Sequence, residues 1–276
     1  MDYDPVKDRL GDFFWASPAR TKAFYRLLDT VFLRSWYVRR ALRRHVEASG
    51  GRPLHVLDAG TGFGQYAYWL VDTFPNVRVT AVDVKDDYLR RAQAFLAQTP
   101  YADRVAFERA DLTLPLEYAG EFDLALSVDV MEHIEDDRAV FRHVGAALKP
   151  GGVFLVNTPS DQGGSGVTEA GDESFIGEHV RDGYPVAELR EKLETAGLEV
   201  TDTEYTYGPA GSAAWRLLVK WPIQALSASR LAAPLVGLWY LGAGPVGLAL
   251  NAVDVRRDNT TGTGLLMTSR RPDAGA

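Results

Sequence analysis

The chain reads as an α/β protein with a doubly wound parallel sheet. Three observations predict this. Strands and helical stretches alternate from residue 54 onward, the strands are near-continuous apolar runs, and a glycine-rich turn follows the first of them. In order, "LHVLDAG" (54–60) is a buried strand followed by a helix through Val71, and "VRVTAVDV" (77–84) is a strand with a helix from Asp86 to Gln98. "RVAFERAD" (104–111) and "FDLALSVDV" (122–130) are the third and fourth strands, and a helix spans Asp137 to Leu148. "KPGG" then turns the chain into a fifth strand, "VFLVNTP" (153–159).

Past Pro159 the alternation breaks. Residues 160–184 are rich in Gly, Ser and acids and read as a mobile loop, followed by a helix, Val186–Ala196, that Gly197 ends. The remaining strands are "LEVTDTEYTYG" (198–208) and "GTGLLMTSRR" (262–271). Between them "LAAPLVGLWYLGAGPVGLALNAV" (231–253) runs 23 residues without a charge. Its length suits a membrane span, but a single crossing would put two strands of one sheet on opposite sides of the bilayer. Two prolines and four glycines also make a poor straight helix. The reading is a helical insertion that packs on the sheet, covers an apolar pocket or dips into a membrane surface.

At 276 residues there is room for one large domain with an extra element, and 46% hydrophobic with 24% charged residues is ordinary for a globular core. The absence of cysteine excludes disulfides and thiolate metal sites and fits a reducing, cytoplasmic setting. The start of the chain carries early acids and no apolar h-region, so no secretory signal is expected. A net charge of −7 argues against general nucleic-acid binding. Yet Arg20–Arg44 carries eight Lys/Arg against the single acid Asp29, with apolar residues at helical spacing. That basic amphipathic segment, one helix or two short ones, is either a solvated surface helix or a membrane- or partner-binding element.

In such a sheet the first strand–helix turn lies at the ligand-binding edge. Its glycines are Gly60, Gly62 and Gly64, whereas a dinucleotide fingerprint needs its third glycine where Gln65 stands. Asp58, two residues before the first glycine, would repel a phosphate and welcome an ammonium. The turn therefore suits a nucleotide-like ligand with a cationic amino group and no pyrophosphate.

"LDAGTGFGQ" resembles the acidic-x-Gly-x-Gly-x-Gly signature of the class I S-adenosylmethionine (SAM)-dependent methyltransferases, and the resemblance extends over residues 54–207 and the last strand. It implies a Rossmann-like seven-stranded sheet of order 3-2-1-4-5-7-6 with the last strand antiparallel. It also implies SAM as cofactor, with S-adenosylhomocysteine as product. Asp83 matches the acid that accepts both ribose hydroxyls, and Asp111 in "ADL" the acid at the adenine amino group. Thr61, Gln65, Val84, Leu112, Val128 and Asp129 complete the implied cofactor lining beside Asp58 and the three glycines. Each of Asp58, Asp83 and Asp111 also has a plainer reading, as a helix N-cap.

His133, after the fourth strand, matches a histidine that faces the methyl group in related enzymes and suits a general base. Its plainer reading is a helix-cap residue that shapes the pocket. No metal is expected; "DVMEH" nevertheless resembles the acid-x-x-Glu-His pattern of some quinone-biosynthesis O-methyltransferases, where Asp129, Glu132 and His133 would hold a divalent ion. Asp129 stands where that pattern has glutamate.

The expected organisation is an N-terminal helical cap (1–50), a SAM-binding core (51–208), an apolar insertion (209–259) and a last strand with tail (260–276). The cap and the insertion are the parts that can cover the open edge of the sheet. Phe13, Phe14, Trp15 and Trp36 from one and Trp215, Trp221, Trp239 and Tyr240 from the other point to a lipophilic acceptor: a quinone, isoprenoid or lipid. The reading is a monomer or homodimer, cytoplasmic or peripheral on the inner face of the membrane. The alternatives are a SAM-binding regulator without activity, or a methyltransferase of a polar metabolite whose apolar segments form a dimer interface.

Overall fold

The computed structural model describes residues 15, 17–163, 180–229 and 232–273. The expectations for Phe13 and Phe14, and for most of the loop after Pro159, lie outside the described residues.

The basic N-terminal segment is two helices. α1 (Pro18–Val31) starts where the Ser17 hydroxyl accepts from the Arg20 amide at 3.4 Å, with Pro18 in the first turn. Phe32 is extended (φ −87°, ψ 113°), which ends α1, and α2 (Leu33–Ala48) follows at once. Tyr25, Leu33, Tyr37, Val38, Leu42 and Val46 are buried, so one face of the cap is core.

The strands β1 (Leu54–Ala59), β2 (Val77–Asp83), β3 (Val105–Arg109), β4 (Phe122–Val128), β5 (Leu148–Pro159), β6 (Glu199–Thr206) and β7 (Gly264–Arg270) form one sheet in the order 3-2-1-4-5-7-6. β1 to β5 are parallel, and β7 runs antiparallel to both β5 and β6. This is the expected fold. Alternate side chains feed two cores: Leu54 and Val56 join the cap with α3 (Gln65–Thr73) and α4 (Asp86–Leu96), while Leu57 and Ala59 join α5 (Asp137–Ala147) and α6 (Val186–Thr195). β4 stops two residues earlier than predicted because Asp129 takes a left-handed φ of 53°, which turns the chain off the sheet. β5 starts earlier than predicted: Leu148 already pairs with Phe122, and the "KPGG" residues form an irregularity before Val153 takes up the register opposite Leu124.

On the α5–α6 side Asp137 is 2% exposed and is shared by three partners: Lys192 at 2.7 Å, Arg181 and the Tyr184 hydroxyl. That shared carboxylate ties α5 to α6 and to the strand-edge segment before it.

The insertion comprises α7 (Pro209–Trp215), a π-helical turn (Arg216–Lys220), α8 (Trp221–Ala228) and α9 (Ala233–Asp254). Against the expectation drawn from its prolines and glycines, α9 is one helix of 22 residues. Pro234 falls in the first turn, where a missing N–H costs nothing, and only Pro245 is interior. The C-terminal end of α9 is anchored: Asp254, fully buried, accepts from the Tyr37 hydroxyl at 2.7 Å, from the Gly211 amide at 2.7 Å and from Asn259 at 3.3 Å.

Candidate active site

The carboxyl ends of β1, β2 and β4 meet at the glycine turn. Gly60, Gly62 and Gly64 all have positive φ (83°, 53° and 75°), but for different reasons. A Cβ at Gly60 would lie 2.4 Å from a Val130 methyl, and one at Gly64 would lie 3.1 Å from Ala92, so these two glycines permit close packing. Nothing lies within 4 Å of a Cβ at Gly62. Its amide is held instead by Asp83, whose carboxylate accepts from Gly62 N–H at 2.8 Å and from Lys85 N–H at 2.9 Å. The turn is thus fixed from β2 and presents bare backbone to an open space, which fits a nucleoside-type cofactor.

Asp58 is 2% exposed, and its carboxylate accepts from the Thr61 hydroxyl at 2.7 Å and from the Ala67 amide. Burial raises its pKa to about 7, against the hydrogen bond from Thr61 that lowers it. It secures the turn from beneath rather than standing at the surface of the crevice. Thr61 is buried with it, its amide donating to Val82 O at 2.9 Å. Gln65 departs from its expected place: its side-chain amide donates to Asp29 at 2.7 Å and Ser35 at 3.2 Å, so it binds α3 to the cap.

Val84 is exposed beside Asp83, and Leu112 is buried beside Asp111. Asp111 is exposed, and hydrogen bonds from the Thr113 hydroxyl and amide hold its carboxyl below the usual range. Val128 ends β4 and packs on the core under the cap.

Beyond Val128 the sequence reading missed the residue that completes this edge. Arg34, at the start of α2, reaches Asp129 at 2.5 Å, and its backbone N–H donates to the Tyr207 hydroxyl at 3.2 Å. Both charged side chains remain about a third exposed, at 33% and 30%. No sequence signal sets Arg34 apart from the other cations of its helix.

Glu132 is 1% exposed, takes a hydrogen bond from Thr158 at 3.2 Å, and is held at a raised pKa of about 8 by burial first and by Asp129 second. His133 closes the short turn Met131–His133 and is partly exposed. Asp129 is taken up by Arg34 and Glu132 by Thr158. Among the described residues no group of three His, Asp or Glu is placed to hold a metal, so Asp129, Glu132 and His133 do not form the set that their spacing suggested.

The sheet order defines a Rossmann-like α/β protein, and the open glycine turn with its strand-end acids fits a nucleoside cofactor. Residues 56–152 match the family described as a methyltransferase domain. Over 226 residues the chain is 28% identical to a ubiquinone biosynthesis O-methyltransferase of Methylobacterium nodulans, covering 76% of this chain and 88% of that one. It is 39% identical over 104 residues to an uncharacterized methyltransferase of Mycobacterium tuberculosis, of which it spans about half (49%), with 37% of this chain matched. Of a Synechococcus protein that it matches at 33% identity over 106 residues (38% of this chain), it spans 25%.

Among solved structures, the phosphoethanolamine N-methyltransferase 2 of Haemonchus contortus in complex with SAM has a TM-score of 0.61 at 19% identity, over 99% of this chain and 61% of that one. The [4+2]-cyclase SpnF has a TM-score of 0.59, also at 19% identity, over 85% and 82%. These likenesses are of fold. The match over residues 56–152 and the relatives it brings together support a class I SAM-dependent methyltransferase with SAM as its cofactor.

Proposed function

We propose that this chain transfers the methyl group of SAM to an oxygen, nitrogen or carbon of a small lipophilic acceptor of the quinone, isoprenoid or lipid type, in the cytoplasm. The observation that carries the reading is the open backbone at Gly62, held by Asp83, beside an ion pair at the end of β4. In this reading the cofactor's sugar lies on Asp83 and its base by Asp111 and Leu112. Its amino acid end, a zwitterion, meets the complementary charges of Asp129 and Arg34. Asp58 acts beneath the turn as its brace.

When bound, SAM supplies an already activated methyl group, so the protein's work is positioning and exclusion of water. The cap brings Arg34 and Tyr207 over the crevice and closes it from one side. Where the acceptor is a hydroxyl, the partly exposed His133 takes its proton; Glu132, buried and mostly protonated at neutral pH, is not the base. Support for a lipophilic acceptor comes from the apolar insertion that roots beside Tyr207, and from the likeness to the ubiquinone biosynthesis O-methyltransferase of Methylobacterium.

The test has two stages. Calorimetry with SAM and with NAD is expected to show binding of SAM alone. Tritium in the methyl group is then followed into the lipid, small-molecule and protein fractions of a lysate. Label in the extractable lipophilic fraction, lost in His133→Ala at unchanged SAM affinity, is the expected result. SAM binding without incorporation into any fraction would instead describe a SAM-binding regulator.

A further inference from the structure

The insertion presents a surface that water does not suit. In α9, 22 residues long, only Gly247, Asn251 and Asp254 are buried, all towards its C-terminal end. Ahead of them Leu235 is 69% exposed, Leu238 66%, Leu241 75% and Val246 54%, and α8 adds Trp221 and Leu226 at 47% and 40%. Nothing lies within 4 Å of a Cβ at Gly237, Gly242 or Gly244. At about 100° per residue, Leu235, Leu238, Trp239, Tyr240 and Leu241 spread over more than half of the circumference. A protein partner covers one stripe of a helix. A helix apolar on nearly every side needs a surrounding medium.

The two aromatic polar groups of α9 are satisfied from within. The Trp239 indole N–H donates to Leu217 O at 2.9 Å and the Tyr240 hydroxyl to Leu218 O at 2.6 Å, both acceptors in the π-helical turn. Trp239 also meets Trp221 edge-on, with ring centroids 5.9 Å apart. What α9 turns outward ahead of its buried end is therefore hydrocarbon and aromatic faces, as apolar surroundings require.

Charge selects the medium further. Residues 209–253 contain no Asp or Glu, and their charged residues are Arg216, Lys220 and Arg230. Arg256 and Arg257 are exposed just beyond α9. The insertion leaves from β6 and returns to β7, its antiparallel neighbour, so both ends stay on one side of any bilayer.

We propose that α8 and α9 form a monotopic anchor that seats this protein on an anionic lipid surface, dipping into the apolar layer beneath the headgroups without crossing the bilayer. The root of the anchor adjoins the crevice. Gly211 and Asp254 pack by Leu33, the neighbour of Arg34, and Tyr207 lies two residues before α7. A lipophilic molecule leaving the bilayer at the root meets the crevice without entering bulk water.

The test uses the full chain and vesicles of phosphatidylglycerol or of phosphatidylcholine, in co-sedimentation without cofactor, so its outcome is independent of the methyl-transfer reading. The wild type is expected to pellet with both and more strongly with phosphatidylglycerol. The variant Leu235→Ser with Leu238→Ser and Leu241→Ser touches only exposed positions. Its partition is expected to fall about a hundredfold, with circular dichroism and SAM affinity unchanged. A second variant, Arg216→Glu with Lys220→Glu, is expected to lose the preference for phosphatidylglycerol and to keep binding to phosphatidylcholine. Wild type that stays in the supernatant with both vesicles overturns the proposal. So does a wild-type dimer that the leucine variant turns into a monomer while vesicle binding is the same for both.

Discussion

Arg34 and Asp129, 95 residues apart in sequence, are 2.5 Å apart just past the end of β4. Asp129 and Tyr207 are the two described non-glycine residues with positive φ, at 53° and 54°, and both contact Arg34. Left-handed backbone at such residues costs on the order of 1–3 kcal/mol and persists where surrounding structure enforces it. Arg34, delivered by the cap, meets both: its guanidinium pairs with Asp129 and its backbone N–H donates to the Tyr207 hydroxyl.

Replacing Arg34 is expected to weaken SAM binding without unfolding the chain. Arg34→Ala removes a charged, partly exposed contact, and calorimetry should show a Kd for SAM about tenfold or more above wild type, with unchanged circular dichroism. Arg34→Lys, which keeps the charge and loses the fork, should fall between the two. An unaltered Kd in Arg34→Ala would remove the ion pair from the cofactor site.

The glycines of the turn should separate into two kinds. Gly60→Ala drives a methyl into Val130 at 2.4 Å, and thermal denaturation should show a loss of about 1–3 kcal/mol. Gly62→Val meets no neighbour, so its stability cost is confined to the left-handed backbone, about 1–2 kcal/mol, while SAM binding should be lost. If Gly62→Val binds SAM as the wild type does, the cofactor lies elsewhere.

Two buried acids set a pH dependence. Burial raises Asp58 to about 7 and Glu132 to about 8 in the folded state, against about 3.9 and 4.3 when unfolded. Between these limits the folded chain holds protons that the unfolded chain has released, so stability falls as pH rises from about 4 towards 8. Glu132→Gln keeps an acceptor for Thr158 and has no proton to lose. Its melting temperature should exceed that of wild type at pH 7 to 8, with the gap closing at pH 5. Parallel curves for the two proteins would show that Glu132 is ionised in the folded state.

Asp137 is expected to matter for stability alone. Asp137→Ala leaves the cations of Lys192, 8% exposed, and Arg181 facing a cavity, and urea titration should show a loss of about 3–5 kcal/mol. SAM affinity in the surviving folded fraction should not change. A mild loss would show that water replaces the carboxylate.

The strand positions, the glycine turn and the acids at the strand ends were legible because they are local, whereas the order of the strands in the sheet came from the resemblance. An apolar run, a turn that needs left-handed residues and an acid following it each lie within a few consecutive residues, and period and spacing report them directly. The insertion was legible as apolar and helical, but not its continuity. The cost of a proline depends on where the helix begins, and only the folded chain places Pro234 in the first turn.

The sequence by itself determined the alternating fold, the cofactor turn and the absence of thiol chemistry. Tertiary structure alone decided that Gln65 serves the cap and that Asp58 is a brace. It also paired Glu132 with Thr158 rather than with a metal, and placed Arg34 at the crevice. The physical reason is that a charged side chain's role follows from what it meets and how much water remains around it. Contacts between residues 95 positions apart leave no period or spacing in the chain that forms them.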